Sequence, residues 1–253
     1  MHHLAIATFG PANVFVFDLH RRRIAARVTE LLAEDETFWR LIFLPMAAGM
    51  LGAAIGILPM HGACVSRGDD GFLIAGVSGT GKSTLALALA LRGLEYVSDD
   101  WSYCSLRKNV LVARAMGAPL KLLLEAASYF PQLADYPTCI SMNGELAYEV
   151  EPSMVFNIRR RSRCYPRLCV FYERSAARTE FTRLDKKDLR NYLMKSVERL
   201  PPQLAQMQAT RMQLIDRVAE LPCWRFSSAG LPEQAAVELQ YFFEEQLQLG
   251  IPR

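Results

Sequence analysis

Apolar and polar positions along the chain predict short strands and amphipathic helices, with a β-rich middle. Val14-Phe-Val-Phe17 reads as a short strand, Arg21-Arg22-Arg23 as a polar connection, and residues 27–44 as a helical stretch. From His61 onward, apolar runs are bounded by Gly and Asp, the composition of strands joined by tight turns. Residues 62–66 and 72–77 form a predicted hairpin around Arg67-Gly-Asp-Asp-Gly71, with His61 at the start of its first strand. Lys82 to Arg92 alternates Leu and Ala as a helix would, and Gly93 stands where a helix ends. Residues 94–98 read as the next strand, and 103–106 with 110–113 as a hairpin around Arg107-Lys-Asn109. Residues 167–173 and 180–184 read as another hairpin. Asp185 then caps a helix whose third position, Asp188, places negative charge at the positive end of the dipole. Residues 203–221 and 232–247 complete a helical C-terminus, split by the strand Cys223-Trp-Arg-Phe226. Neither an internal repeat nor a low-complexity tract occurs. The pattern predicts an α/β fold with a mixed β-sheet and a helical C-terminus. Residues 1–60 form a small N-terminal subdomain with an apolar helix, and residues 61–253 the main domain.

Residues 41–60 run twenty positions without a charge, about 30 Å if helical, and carry Gly52-x-x-x-Gly56. That length suits a membrane span. The preferred reading is a core helix, kinked at Pro45 and ended near Pro59, because it leads into a strand with no hydrophilic linker.

Composition narrows the classes. The 253 residues are 51% hydrophobic and 22% charged with a net charge of +3, ordinary for a folded domain and too weakly basic to argue for nucleic acid. The six cysteines include no C-x-x-C pair and no His at metal spacing, so they read as reduced, mostly buried thiols. The opening Met-His-His-Leu-Ala-Ile-Ala lacks the basic and apolar regions of a signal peptide, and the expected location is the cytoplasm.

Gly76-Val77-Ser78-Gly79-Thr80-Gly81-Lys82-Ser83, followed by Thr84, matches G-x-x-x-x-G-K-[ST] between a predicted strand and helix. The glycines let consecutive amides turn around an anion, and the helix N-terminus adds partial positive charge. Lys82 suits the β- and γ-phosphates of ATP, and the Ser83 hydroxyl suits Mg²⁺.

The strand at 94–98 ends in Asp99-Asp100, seventeen residues after Lys82. Such a pair also makes a good solvated turn. Beside this loop it reads as a functional pair, one acid for metal and one for the nucleophile. His61 is near in the predicted hairpin, although a lone His is more often structural. Arg159-Arg-Arg-Ser-Arg163 with Arg167 is the densest positive cluster, suited either to a substrate or phosphate contact through Arg159 or to a solvated face.

His61-Gly-Ala-Cys-Val65, the loop 76–84 and Arg92-Gly-Leu-Glu-Tyr-Val-Ser-Asp-Asp100 together resemble the catalytic core of the HPr kinase/phosphorylase family. The agreement spans residues 59–120. The resemblance implies a P-loop kinase domain related to phosphoenolpyruvate carboxykinase. It also implies phosphoryl transfer from ATP to a protein serine, with Asp99 as the base, Asp100 at the metal and His61 as the active-site histidine. Lys121, in Gly117-Ala-Pro-Leu-Lys121, corresponds to a basic residue on a strand. The metal-binding Glu and Gly-Leu-Gly signature of HPr kinases proper is not found here, and the opening 60 residues are shorter than their N-terminal domain. The chain therefore resembles the shorter HPr-kinase-like proteins found beside peptide-modification clusters, including lasso-peptide kinases.

The expected function is an ATP- and Mg²⁺-dependent serine kinase acting on a peptide or small protein, with no nucleic acid or membrane partner. Family relatives form homo-oligomers. Two alternatives stay open: a small-molecule kinase or ATPase on the same scaffold, and a nucleotide-binding regulator without turnover.

Overall fold

The computed structural model describes residues 3–117, 119–141, 144–174, 178–197 and 199–250. Met1 and His2 of the opening segment and Ala118 of the Gly117–Lys121 stretch lie outside them. The chain opens with a meander, β1 (Leu4–Phe9), β2 (Asn13–Asp18) and β3 (Arg23–Arg27), and a single helical turn, α1 (Glu30–Ala33). The polar connection and the first residues of the predicted helix are thus β3 and its turn. A π-helical turn over Phe38–Phe43 continues into α2 (Leu44–Ala54), and Pro45, which has no N–H to return to the preceding turn, stands where the winding changes. Residues 41–60 are therefore not one long helix. Gly56 turns the chain at positive φ and β4 (Leu58–His61) follows, so Pro59 lies within a strand. Among the described residues no helix is long and apolar enough to cross a membrane.

Among the described residues the central sheet has nine strands. Its middle is built from the hairpin β5 (Ala63–Arg67) and β6 (Asp70–Ala75), which feeds α3 (Lys82–Leu91) and then β7 (Glu95–Ser98). A second hairpin, β8 (Trp101–Arg107) and β9 (Val110–Arg114), follows. β10 (Leu120–Leu123), β11 (Cys139–Ile140) and β12 (Leu146–Val150) form a separate small sheet, and a short turn, α4 (Pro152–Val155), leads to the long strand β13 (Arg163–Arg174). The chain ends with β14 (Glu180–Arg183), α5 (Lys186–Ser196), α6 (Gln208–Ala219), β15 (Cys223–Ser228) and α7 (Pro232–Gln248).

Strand order runs β4-β8-β9-β13-β6-β5-β7, with β15 beside β13 and β14 beside β15. Three expectations change here. β13 and β14 do not form a hairpin, because β15 lies between them, parallel to β13 and antiparallel to β14. His61 does not begin the β5–β6 hairpin. It ends β4, an edge strand paired with β8, where Pro59 removes no needed donor. Residues 203–207 wind as a 3₁₀ segment, kinked at Leu204, ahead of α6. Asp185 caps α5 as expected, accepting from the amide of Lys187.

Alternation along the central strands divides the core in two. Phe72 and Ile74 of β6 pack with α3 and α7 through Leu87, Leu239 and Phe243, whereas Leu73 belongs to the opposite cluster. That second cluster joins Phe15 and Phe17 of β2 to Leu193 of α5 and to Leu214 and Ile215 of α6. Five of the cysteines are buried and all six are free thiols. The sheet is thus held between two helical layers, and the ends of β6 and β7 open on one side of it.

Candidate functional site

Between β6 and α3 the chain turns back on itself over six residues, and two glycines are required by geometry. Gly81 caps α3 in the left-handed region at φ 90°. A Cβ on Gly76 would approach the carbonyl oxygen of Tyr172 in β13 to 2.5 Å. Both arise because a strand buried on each side must turn at once into a helix. Lys82 is buried, and its Nζ donates to the carbonyls of Gly76 and Val77 at 3.0 Å each, so the ammonium bridges the mouth of the loop. Burial pulls it below its ordinary pKa, an effect partly offset by the Asp100 carboxylate. Thr80 Oγ1 donates to the Val77 carbonyl at 2.9 Å, whereas Val77 and Ser78 are exposed.

The two acids at the end of β7 sit in different surroundings. Asp99 is buried, and the Tyr96 hydroxyl donates to its Oδ1 at 2.9 Å. Its Oδ2 is equally enclosed and has no hydrogen-bond partner among the described residues. Desolvation pushes its carboxyl up to about 6, against the pull of Tyr96 and of the Asp100 and Lys121 amides. Asp100 is more exposed. His61 Nε2 lies 3.2 Å from its Oδ1 and holds that carboxyl below the usual range, where it stays ionised. The backbone fixes this pairing, since the Gly62 amide donates to the Asp100 carbonyl at 3.0 Å and Ser102 Oγ to the Gly62 carbonyl at 2.8 Å. Two neighbouring carboxyls are therefore driven apart in acidity.

His61, the glycine loop apart from Thr80, Lys82, Ser83, Thr84, Asp99, Asp100 and Lys121 line one cavity of about 770 Å³. Lys121 stands on β10 and its Nζ donates to Glu145 at 2.8 Å. The opposite wall comes from residues without any motif. Tyr192, on α5, accepts from the Gly76 amide at 3.2 Å and donates to the Gly76 carbonyl at 2.8 Å. Lys195 and Arg199 line the cavity with it, while Trp101 lies beside His61 and Glu125 follows β10. The helical period around Tyr192 was legible, but nothing in it showed that α5 would lie against residue 76.

Arg159 is not part of this cavity. Its guanidinium donates to the Gly93 carbonyl at 2.7 Å, just past the far end of α3, roughly 15 Å from the loop by helix length. Its neighbours are likewise engaged: Arg160 with Glu151, Arg161 with Asp69 and Glu95, and Arg167 with Asp70. Of the cluster that suited either a ligand contact or a solvated face, Arg160, Arg161 and Arg167 are ion-paired at and just before the start of β13.

No family model and no curated protein matches the chain. Among solved structures it is similar to the HPr(Ser) kinase/phosphatase from Coxiella burnetii, at 11% identity over 76% of this chain and 92% of that one, with a TM-score of 0.41. At that level the likeness carries no functional argument, and the chemistry stands on the cavity's own residues.

Proposed function

We propose that the chain is a kinase using ATP and Mg²⁺ to phosphorylate a serine hydroxyl on a peptide or small protein. The observation that supports this most is Asp99 Oδ2, a buried carboxylate oxygen without a partner among the described residues, on a residue that shares its cavity with Lys82 and all of the glycine loop but Thr80. Such an oxygen is set to accept a proton, and its raised pKa suits a base working near neutrality.

In this reading the amides of residues 76–84 and the Lys82 ammonium hold the triphosphate and offset charge on the moving phosphoryl oxygens. The Ser83 hydroxyl and the ionised Asp100 carboxylate fit Mg²⁺, which takes only one or two protein oxygens when phosphates and water supply the rest. When bound, the ion neutralises the β- and γ-phosphates. His61 keeps Asp100 in place. Asp99 Oδ2 takes the proton of the acceptor hydroxyl as its oxygen bonds the γ-phosphorus and the bond to the β,γ-bridging oxygen breaks, releasing ADP. Serine and a peptide carrier come from the resemblance of the 61–100 segment to HPr-kinase-like proteins.

Incubation with γ-labelled ATP and Mg²⁺, with and without candidate peptides, tests the reading. Label on a peptide serine is expected. Label on a small molecule, release of phosphate alone, or binding with no turnover would each replace it with a different function.

A further inference from the structure

A second cavity, of about 400 Å³, adjoins the phosphate site and shares Trp101 and Arg199 with it. Its floor is apolar: Met46 and Met50, one turn apart on α2, face Pro59 and Tyr103. In the β4–β8 pair, Pro59 stands opposite Tyr103 and His61 opposite Trp101. Positions two apart on a strand share one face, so the two cross-strand pairs follow each other about 7 Å apart. The first pair lines the apolar cavity and the second lines the wall beside Asp100. An extended peptide has that same spacing between side chains at i and i+2.

Two further observations point to a receptive site. Trp101, the junction residue, is 37% exposed although it packs its ring against His61 at 5.5 Å. Gly49 stands inside α2, where helix propensity disfavours glycine, and a Cβ there would meet nothing within 4 Å, so the glycine leaves that side of the cavity open. Paired methionines adapt to side chains of different shape.

We propose that this cavity receives an apolar side chain of the acceptor peptide, two positions from the phosphorylated serine. The proposal rests on the kinase reading above and adds its substrate preference. Trp101 separates the subsite from the reacting oxygen, and Arg199 stands where the peptide backbone or a carboxylate would cross from one cavity to the other.

Short synthetic peptides test it, each with one serine and one leucine moved along an otherwise Ala/Gln background. Binding is read by fluorescence anisotropy and phosphate by mass spectrometry with ATP and Mg²⁺. Leucine two positions from serine should bind about tenfold or more tighter than alanine there, the gain from burying one aliphatic side chain. Gly49→Leu should erase that preference, since it fills the cavity while leucine remains the better helix former. Phosphate on serine with no positional preference overturns the subsite and leaves the kinase reading intact. A positional preference in binding with no phosphate on any peptide keeps the subsite and overturns the kinase reading. Neither binding nor phosphate overturns both.

Discussion

The Tyr96 hydroxyl, enclosed in the core, donates a 2.9 Å hydrogen bond to Oδ1 of Asp99. Tyr96 is held in turn by two backbone bonds to one neighbouring segment, its amide to the Arg159 carbonyl and its carbonyl to the Arg161 amide. One oxygen of the acid is thereby fixed and the other left without a partner. Desolvation of the whole group raises its pKa, which is the tuning a base needs at neutral pH and also a burden on the fold.

Both consequences are measurable in Asp99→Asn. Phosphoryl transfer should fall by about 10²–10⁴-fold with ATP binding retained, and in the wild type it should decline as pH drops through about 6. Stability should move the other way. Between an ordinary carboxyl value near 4 and about 6 the native state binds the extra proton, so stability falls as pH rises through that window. Above it, the ionised buried group costs at most about 3 kcal/mol. Asp99→Asn should therefore melt higher than wild type at pH 7.5, with the gap closing near pH 4. Equal melting temperatures at both values would refute the buried-charge account.

Lys82→Ala removes the ammonium that bridges Gly76 and Val77. Loss of a charged hydrogen-bonding group should weaken ATP–Mg²⁺ binding by about 10- to 150-fold, read by isothermal titration calorimetry. Unchanged affinity would show that the loop does not hold phosphate.

Tyr192→Phe deletes both hydrogen bonds to Gly76 while keeping the ring against Phe171, where the centroids lie 5.0 Å apart. Two neutral bonds contribute about 1–2 kcal/mol, so KM for ATP should rise severalfold with a smaller change in kcat. A fall in kcat at constant KM would mean that α5 contributes to the chemical step rather than to the shape of the loop.

Arg159→Ala should lower stability by about 1 kcal/mol through the lost bond to Gly93, with ATP affinity unchanged. Thermal melting and titration on the same preparation decide this. A tenfold drop in affinity would return Arg159 to the binding residues.

The glycine loop and the Asp99-Asp100 turn were legible because each is local: a strand, a turn and a helix within 25 residues carry their own glycines, caps and apolar periods. The hairpins at 63–75 and 101–114 were legible for the same reason. The other half of the cavity was not. Tyr192 reaches Gly76 across 116 positions of sequence, and Lys195 and Arg199 arrive with it. Nor does strand spacing reveal that β15 enters between β13 and β14, since a strand with apolar neighbours suits either side equally. The arginine cluster left two readings open for a related reason. Its partners, Asp69, Asp70, Glu95 and Glu151, are scattered along the chain, so local charge counting sees only the excess.

The seat of β15 also governs when a growing chain can complete its centre. β13 braces the loop through the close approach of Tyr172 to Gly76, and β15 covers the flank of β13 from Cys169 to Arg174. During synthesis, residues 61–100 leave the ribosome long before residue 228 does, so the motif exists as sequence while the flank of its supporting strand is bare. Pairing across so many residues is slow, and an uncovered apolar strand is the kind of edge that chaperones bind and other chains join. A nascent chain halted between α6 and β15 would carry every residue of the loop and both acids, yet expose the strand that gives them their shape.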